Sequence, residues 1–433
     1  MVAGDELRID GPRPLRGRLR VPGCKGISHR ALLFAAIADG ESQLRGLAHG
    51  DDVRRTRAAL AHLGVPMRAD RVGELDVHAR GINALVEPAT VLECANSGTS
   101  MRMLAGLLAG RPFHAVLAGD ESLSGRPMAR VVEPLRLMGA LIDGRDGGRL
   151  APLSIRGGAL RGIRTELAVA SGQVKTALVL AGLQADGTTE IVEPAPSRDH
   201  TERMLAALGA PLERVDACTV RVSQGAVDAF ELDVPGDASS AAFFVVAATI
   251  TPGSEIVLED VSLNPGRVAY LDVLREMGAD ITVVSKSERL GEPVGDLEVR
   301  AAALRGIVIR CTEGIIDEVP ALVVAGAFAE GTTEVRDAAE LRVKESDRIA
   351  TLEHELTELG VEVEAEPDGM VVHGGSPRAA DLRSHGDHRI AMAAAVAANA
   401  LHGSSTIRGF GAVASSYPEF PTHLAQLTSG ASK

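Results

Sequence analysis

One unit recurs six times along the chain, and this recurrence restricts the fold more than any single motif does. Each copy has an apolar, Ala-rich stretch with helical character, then a glycine, then a β-like run. The stretches are 28–39, 99–109, 173–186, 239–252, 319–330 and 388–402, followed by Gly40, Gly110, Gly187, Gly253, Gly331 and Gly403. The glycines return roughly every 70 residues, a period that demands a repeat architecture. Each stands where a helix C-cap takes a left-handed residue.

The first five copies continue into a second helix that closes on Leu/Met-Gly-Ala/Val, at Leu63-Gly64-Val65, Met138-Gly139-Ala140, Leu208-Gly209-Ala210, Met277-Gly278-Ala279 and Leu359-Gly360-Val361. Short alternating runs follow, such as Val361-Glu362-Val363-Glu364-Ala365 and Gly369-Met370-Val371-Val372-His373, which read as paired strands. The sixth copy reaches Lys433 without its strands, while the chain opens on two unattached runs, Leu7-Arg8-Ile9-Asp10 and Gly17-Arg18-Leu19-Arg20-Val21. The opening strands are therefore expected to complete the last copy. That gives an α/β protein of two similar domains, each of three βαβαββ units. One spans residues 22–235 and the other residues 1–21 plus 236–433, with two crossings, near Pro22-Gly23 and Pro235-Gly236. A single doubly wound sheet accounts less well for six matched copies.

A chain of 433 residues also exceeds one ordinary core. Its formal net charge of −13 disfavours a general nucleic-acid binder, which needs a basic surface to displace counterions. Trp is absent and only Tyr270 and Tyr417 are tyrosines, so platforms for stacking bases are scarce. No window approaches 18 uninterrupted apolar residues, and the opening Met1-Val2-Ala3-Gly4-Asp5-Glu6 does not resemble a secretory signal. Cys24, Cys94, Cys218 and Cys311 lie far apart, so neither a structural zinc site nor a disulfide framework is expected. These features point to a cytoplasmic location and a chain that associates with neither membranes nor nucleic acid.

The openings of the first helices point to anions. They include Cys24-Lys25-Gly26-Ile27-Ser28-His29-Arg30, Asn96-Ser97-Gly98-Thr99-Ser100-Met101-Arg102, Ser171-Gly172-Gln173-Val174-Lys175, Gly236-Asp237-Ala238-Ser239-Ser240, Asp317-Glu318-Val319 and Gly386-Asp387-His388-Arg389. Free N–H groups and the helix dipole attract negative charge there. Ser, Thr and Asn are ordinary caps, but a cation beside a helix N-terminus is locally unfavourable and is explained by a bound anion. A further charged run, Arg342-Val343-Lys344-Glu345-Ser346-Asp347-Arg348, directly precedes the second helix of the fifth copy.

These residues resemble the family of 5-enolpyruvylshikimate-3-phosphate synthases. The strongest motifs are Asn96-Ser97-Gly98-Thr99-Ser100-Met101-Arg102, the run 341–348 and Asp387-His388-Arg389-Ile390-Ala391-Met392. Ser197-Arg198-Asp199-His200-Thr201-Glu202-Arg203-Met204 and Gly236-Asp237-Ala238-Ser239-Ser240-Ala241-Ala242 support them, and the likeness runs in order from Val21 to Phe420. The resemblance implies the inside-out α/β barrel of the enolpyruvyl transferases, with the active site in the cleft between the domains. It implies that phosphoenolpyruvate is held by Lys25, Arg126, Arg348 and Arg389, with Gly98 and Gln173 lining its pocket. It implies that shikimate 3-phosphate is held by Lys25, Arg30, Ser171, Gln173, Ser197, Arg198, Asp317 and Lys344. Asp317 and Glu345 are then the proton-transfer carboxylates, assisted by Lys25 and Lys344. No metal or cofactor is expected, and the expected partners are the two small substrates of a monomeric enzyme. The chemistry suits these residue types. Both substrates carry a phosphate and a carboxylate, and guanidinium forks bind both groups bidentately.

Three positions bear on that resemblance. Gly26 stands where the family commonly has Ser, and Ser415 where some members have Lys, so no C-terminal catalytic lysine is expected. Gly98 is the small residue carried by glyphosate-sensitive members, which implies that glyphosate competes with phosphoenolpyruvate. The nearest rival, the transferase acting on UDP-N-acetylglucosamine, often carries a reactive Cys in the loop matching 119–127, where this chain has none. Cys24 adjoins Lys25 but is expected to be a passenger. A non-catalytic anion binder gains nothing from Asp317 and Glu345, and an RNA-modifying enzyme is disfavoured by the acidity and the lack of aromatics. His62, His78 and His354 are expected to be structural or solvated, and His29 and His388 to shape the cleft.

Overall fold

The computed structural model describes residues 2, 3, 5–71 and 74–429. Met1 and Lys433, the outer limits of the expected second domain, lie outside the described residues. Among the described residues, twelve helices of eight residues or more carry the repeat. They are α1 (Lys25–Ile37), α2 (Asp51–His62), α3 (Gly98–Ala109), α4 (Ala129–Met138), α5 (Gly172–Gly182), α6 (His200–Ala207), α7 (Ala238–Ile250), α8 (Ala269–Met277), α9 (Val319–Ala327), α10 (Arg348–Glu358), α11 (His388–Ala400) and α12 (Phe420–Thr428). The odd-numbered helices are the first helices of the six copies. They are buried along nearly their whole length, as their Ala-rich, almost uncharged sequences require. Among the described residues, no helix is long and apolar enough to cross a membrane.

Among the described residues, six sheets share one strand order: a short parallel strand, the strand that follows a first helix, then two antiparallel strands. In the third copy, Arg164–Glu166 runs parallel to Thr188–Val192, which pairs antiparallel with Thr219–Ser223, itself paired with Leu212–Arg214. The parallel pair and the intervening α5 form a βαβ crossover, the connection parallel strands need. A small two-stranded sheet, Leu160–Arg161 with Ala185–Asp186, is the seventh. A single doubly wound sheet is therefore excluded.

The opening strands divide their roles. Glu6–Gly11 pairs antiparallel with Gly403–Arg408 and completes the sixth copy, as the sequence suggests. Arg16–Leu19 does not join that sheet. It runs parallel to Glu255–Ser262 of the fourth copy. In the same way Glu231–Asp233 runs parallel to Ala38–Arg45 of the first copy. Each set of three copies is thus closed by the strand that precedes a crossing.

The chain divides into two compact units, residues 23–234 with 288–292, and residues 1–22 with 235–287 and 293–433. Each has its own core. In one, α3 and α5 approach closely, and in the other α7, α9 and α11 pack on one another. The excursion 288–292 adds two crossings that the repeat pattern does not signal.

The repeat glycines act differently from a simple helix cap. Gly40, Gly187, Gly253, Gly331 and Gly403 have positive φ, but Gly403 opens the following strand and Gly40 lies within it instead of closing the helix. Gly110 has φ −94° and is needed for space, since a Cβ there would lie 2.3 Å from Gln184 Oε1. The tightest helix approach is at Gly106, where a Cβ would lie 2.1 Å from the Ala177 carbonyl oxygen. Gly106→Ala is expected to lower the unfolding free energy by about 1–3 kcal/mol in urea titration, although Ala favours helix by about 1 kcal/mol. Unchanged or increased stability would show that α3 and α5 are not in backbone contact.

Candidate active site

The unit containing residues 23–234 gathers its site residues at the starts of α1, α3, α5 and α6. Lys25 begins α1, whose N-cap, Cys24, makes no side-chain cap bond. The Lys25 ammonium lies 2.5 Å from the Asp52 carboxylate on α2. Arg30, one turn further, is buried. It donates to Thr201 Oγ1 at 2.7 Å, the Gly26 carbonyl at 2.8 Å, Thr176 Oγ1 at 2.8 Å and the Gly172 carbonyl at 3.0 Å. Arg30 therefore ties α1, α5 and α6 together, and burial lowers its pKa to about 10.

The start of α5 is capped by Ser171, whose side chain accepts from the Val174 N–H. Gln173 bridges to α3. Its carbonyl oxygen accepts from Arg102 Nη1 at 2.6 Å and its amide donates to Thr99 Oγ1 at 2.9 Å. Gly98 lies under the same guanidinium, and a Cβ there would be 3.0 Å from Arg102 Nη1. Arg126 reaches the opening of α3 through Asn96, with Nη2 2.5 Å from Oδ1, and Asn96 in turn donates to Asp120 at 3.0 Å. Arg198 packs on Gly172, whose Cβ would lie 3.2 Å from the Arg198 Cβ. Ser197 Oγ is buried and has no hydrogen-bond partner among the described residues. Lys25, Arg30, Ser171, Gln173, Ser197 and Arg198 thus belong to adjoining helix openings, with Gly98 and Arg126 beside Gln173.

The other unit builds a denser cluster. Arg348, the first residue of α10, is only 1% exposed. Its Nε donates to Asp387 Oδ2 at 2.8 Å and its Nη2 to Glu345 Oε2 at 2.5 Å, while Nη1 lies 3.5 Å from Asp317 Oδ1. Asp387 is also the N-cap of α11, accepting from the Arg389 N–H at 2.8 Å. Arg389 donates to the Asp317 carbonyl at 2.7 Å and lies 3.9 Å from its carboxylate. Lys344 lies 4.0 Å from Asp317 and 3.4 Å from Glu340. Behind them, buried Glu318 contacts Ser239 and Arg267. Asp317, Lys344, Glu345, Arg348 and Arg389 are therefore one contiguous group.

Burial alone would raise the Glu345 carboxyl, but Arg348 and His388 outweigh it and hold the group well below the usual carboxylate range. The same guanidinium keeps Asp387 low against an opposing burial effect.

Two expectations change in this light. The sequence attributes cations beside helix starts to a bound anion, yet Lys25 and Arg348 each already face internal carboxylates. Lys175 does too, lying buried between Glu193 at 2.7 Å and Glu202 at 2.6 Å. The sequence reading also missed Arg102, Asn96, Asp52 and Asp387 as partners. The first, second and fourth lie inside quoted motifs, so their position was visible and their role was not. Cys94 and Cys311 are buried thiols pushed up to about 12, and Cys24 is buried as well.

His29 is fully buried, its Nδ1 2.8 Å from Thr56 Oγ1, and burial lowers its pKa to about 3 despite the nearby Asp52. The unfolded chain takes up this proton below about 6.5, the folded chain only near 3. The linked stability is thus present above pH 6.5 and lost as pH falls. At pH 5 the loss amounts to about 2 kcal/mol. His29→Asn is expected to shrink the drop in unfolding free energy between pH 7 and pH 5 by about that amount in urea titrations. An identical drop in both proteins would contradict a neutral buried imidazole.

Comparison with known proteins converges on one family. The family model for EPSP synthase (3-phosphoshikimate 1-carboxyvinyltransferase) matches residues 9–424. A 3-phosphoshikimate 1-carboxyvinyltransferase of Synechococcus sp. (strain JA-3-3Ab) is 51% identical over 432 residues, covering 98% of this chain and 97% of the relative. That of Chloroflexus aurantiacus (strain ATCC 29366 / DSM 635 / J-10-fl) is 49% identical over 432 residues, covering 98% and 99%. The solved EPSP synthase of Acinetobacter baumannii superposes with a TM-score of 0.89 at 40% identity, covering 98% of both chains. The enolpyruvyl transferase NikO of Streptomyces tendae shares the fold, with a TM-score of 0.78 at 19% identity over 98% of both chains. With six repeated copies, two three-copy units and clustered arginines, lysines and carboxylates at their helix openings, the chain belongs to the EPSP synthase (3-phosphoshikimate 1-carboxyvinyltransferase) family.

Proposed function

We infer that this chain transfers the enolpyruvyl group of phosphoenolpyruvate to the 5-hydroxyl of 3-phosphoshikimate, releasing phosphate, in the shikimate pathway. The observation that carries the assignment of roles is the group formed by Arg348, Arg389, Lys344, Asp317 and Glu345. It holds carboxylates within reach of cations that suit phosphate and carboxylate ligands. The resemblance assigns Arg348, Arg389, Lys25 and Arg126 to phosphoenolpyruvate, with Gly98 and Gln173 as further contacts of the same ligand. Ser171, Gln173, Ser197, Arg198, Lys25, Lys344 and Asp317 take 3-phosphoshikimate. Arg30 acts with them chiefly by holding the openings of α1, α5 and α6 in register, since four of its N–H bonds go to protein.

The reaction needs a base for the hydroxyl proton and an acid for C3 of the enol. Asp317 takes the hydroxyl proton as the oxygen attacks C2. Glu345 gives a proton to C3, then removes one as phosphate leaves. Lys25 and Lys344 offset charge on the departing phosphate.

The depressed Glu345 carboxyl is consistent with the second step but opposes the first. Substrate resolves the opposition. Around Arg348 the cations Arg267, Lys344, Arg348 and Arg389 face the carboxylates Asp317, Glu318, Glu345 and Asp387. Each of these cations is already engaged by carboxylates, Lys344 by Glu340 as well, when an anionic substrate arrives. Phosphoenolpyruvate sharing Arg348 raises the pKa of the carboxylates beside it and so favours proton uptake by one of them. Glu345 has the most exposed side chain of the four, at 30% against 15% for Asp317, and is the one most open to water.

We place the activity in the cytoplasm, in keeping with four free thiols. Release of phosphate from phosphoenolpyruvate should proceed with 3-phosphoshikimate and not with UDP-N-acetylglucosamine. Asp317→Ala and Glu345→Gln should each lower kcat by about 10²–10⁴. Undiminished release by Asp317→Ala would remove the assigned base, and release with the nucleotide sugar would reassign the acceptor.

A further inference from the structure

Apart from these substrate ligands, α10 carries a second set of polar groups that the reaction does not use. Glu355, two turns beyond Arg348, is a buried carboxylate. Its Oε1 accepts from two imidazoles at once, His385 Nε2 at 2.6 Å and His354 Nδ1 at 3.0 Å. Its Oε2 accepts from the Arg383 backbone N–H at 2.7 Å. The two rings stand edge to face with centroids 5.7 Å apart. One ligand atom from each of the three residues falls within 4.8 Å of the others.

We propose that His354, Glu355 and His385 form a binding site for a divalent transition-metal ion of the zinc class. Two nitrogens and a carboxylate oxygen are a donor set that suits zinc, and three protein ligands leave a fourth position for water. Zinc–ligand bonds of about 2.0–2.2 Å in tetrahedral geometry place ligand atoms on the order of 3.3 Å apart. The two Glu355–histidine spacings, 2.6 and 3.0 Å, are hydrogen-bond distances and are shorter than that. Displacing each imidazole by less than about 1 Å makes room. Both histidine side chains are partly exposed, at 57% and 30%, so they can move and an ion can enter from solvent. The Arg383 N–H holds the carboxylate from behind, as outer-shell donors do for metal ligands.

The site joins two elements that matter elsewhere. His354 and Glu355 lie on α10, which begins with Arg348. His385 lies two residues before Asp387, the cap of α11 and the partner of Arg348. A bound ion would therefore clamp α10 to the approach of α11 without touching the substrate ligands, and add stability by mass action.

The test is equilibrium dialysis of the full chain against micromolar ZnCl2 near neutral pH, with bound metal counted by atomic emission. Visible absorption of the Co2+ form reports geometry. About one saturable equivalent is expected, with d–d bands of a four- or five-coordinate nitrogen/oxygen site and an upward shift in Tm. His354→Ala and His385→Ala should each abolish the bands and the tight equivalent. His373→Ala, in the exposed Glu362–Glu364–His373 group, should leave them intact. The two variants are made separately and their metal-free Tm recorded, so one that folds poorly leaves the other to decide. Absence of saturable uptake, or uptake unaffected by either substitution, would overturn the proposal.

Discussion

The buried guanidinium of Arg348 is the interaction on which the rest of the site depends. It is 1% exposed and reaches carboxylates from three separate stretches of chain, Asp317, Glu345 and Asp387. Those stretches lead into α9, α10 and α11, so one side chain fixes three helix openings against one another. Losing it would strand Asp387, which is fully buried, and breaking a buried pair in this way typically costs about 3–5 kcal/mol. Arg348 is therefore structural, and in the proposed function it also binds substrate.

In the proposed function, that dual role explains why the cluster pairs its cations with internal carboxylates. Unpaired cations assembled at adjoining helix starts would repel one another and weaken the fold. Internal carboxylates remove that penalty and hold the cations in place. The cost moves to the moment of substrate entry, when the anion has to compete with the resident carboxylates. Against the effect of burial, Arg348 and His388 hold Glu345 as an ionised carboxylate. In the proposed function, phosphoenolpyruvate sharing Arg348 loosens that hold and lets Glu345 act as a proton donor.

The sixfold repeat was legible because glycine, Ala-rich helix and alternating strands leave periodic signals. The first orphan strand could be placed on the sixth copy because that copy lacked strands. The second could not, because Arg16–Leu19 joins the fourth copy by closing a ring, a relation carried by topology and not by composition. The cations were visible as departures from helix-capping preference. Their carboxylate partners were harder to see. Asp52 is remote from Lys25 in sequence, and Asp387 read as an ordinary cap. His354 reads as structural or solvated, since nothing local to it indicates that His385 lies beside it.

The central claim is that substrate converts Glu345 from a paired carboxylate into a proton donor. Difference infrared spectroscopy tests this most directly, comparing the chain alone with the chain holding phosphoenolpyruvate and a 3-phosphoshikimate analogue that lacks the 5-hydroxyl. The account predicts a protonated-carboxyl C=O band on binding that is missing in Glu345→Gln. No such band in the unmodified chain, or a band that persists in Glu345→Gln, would contradict it.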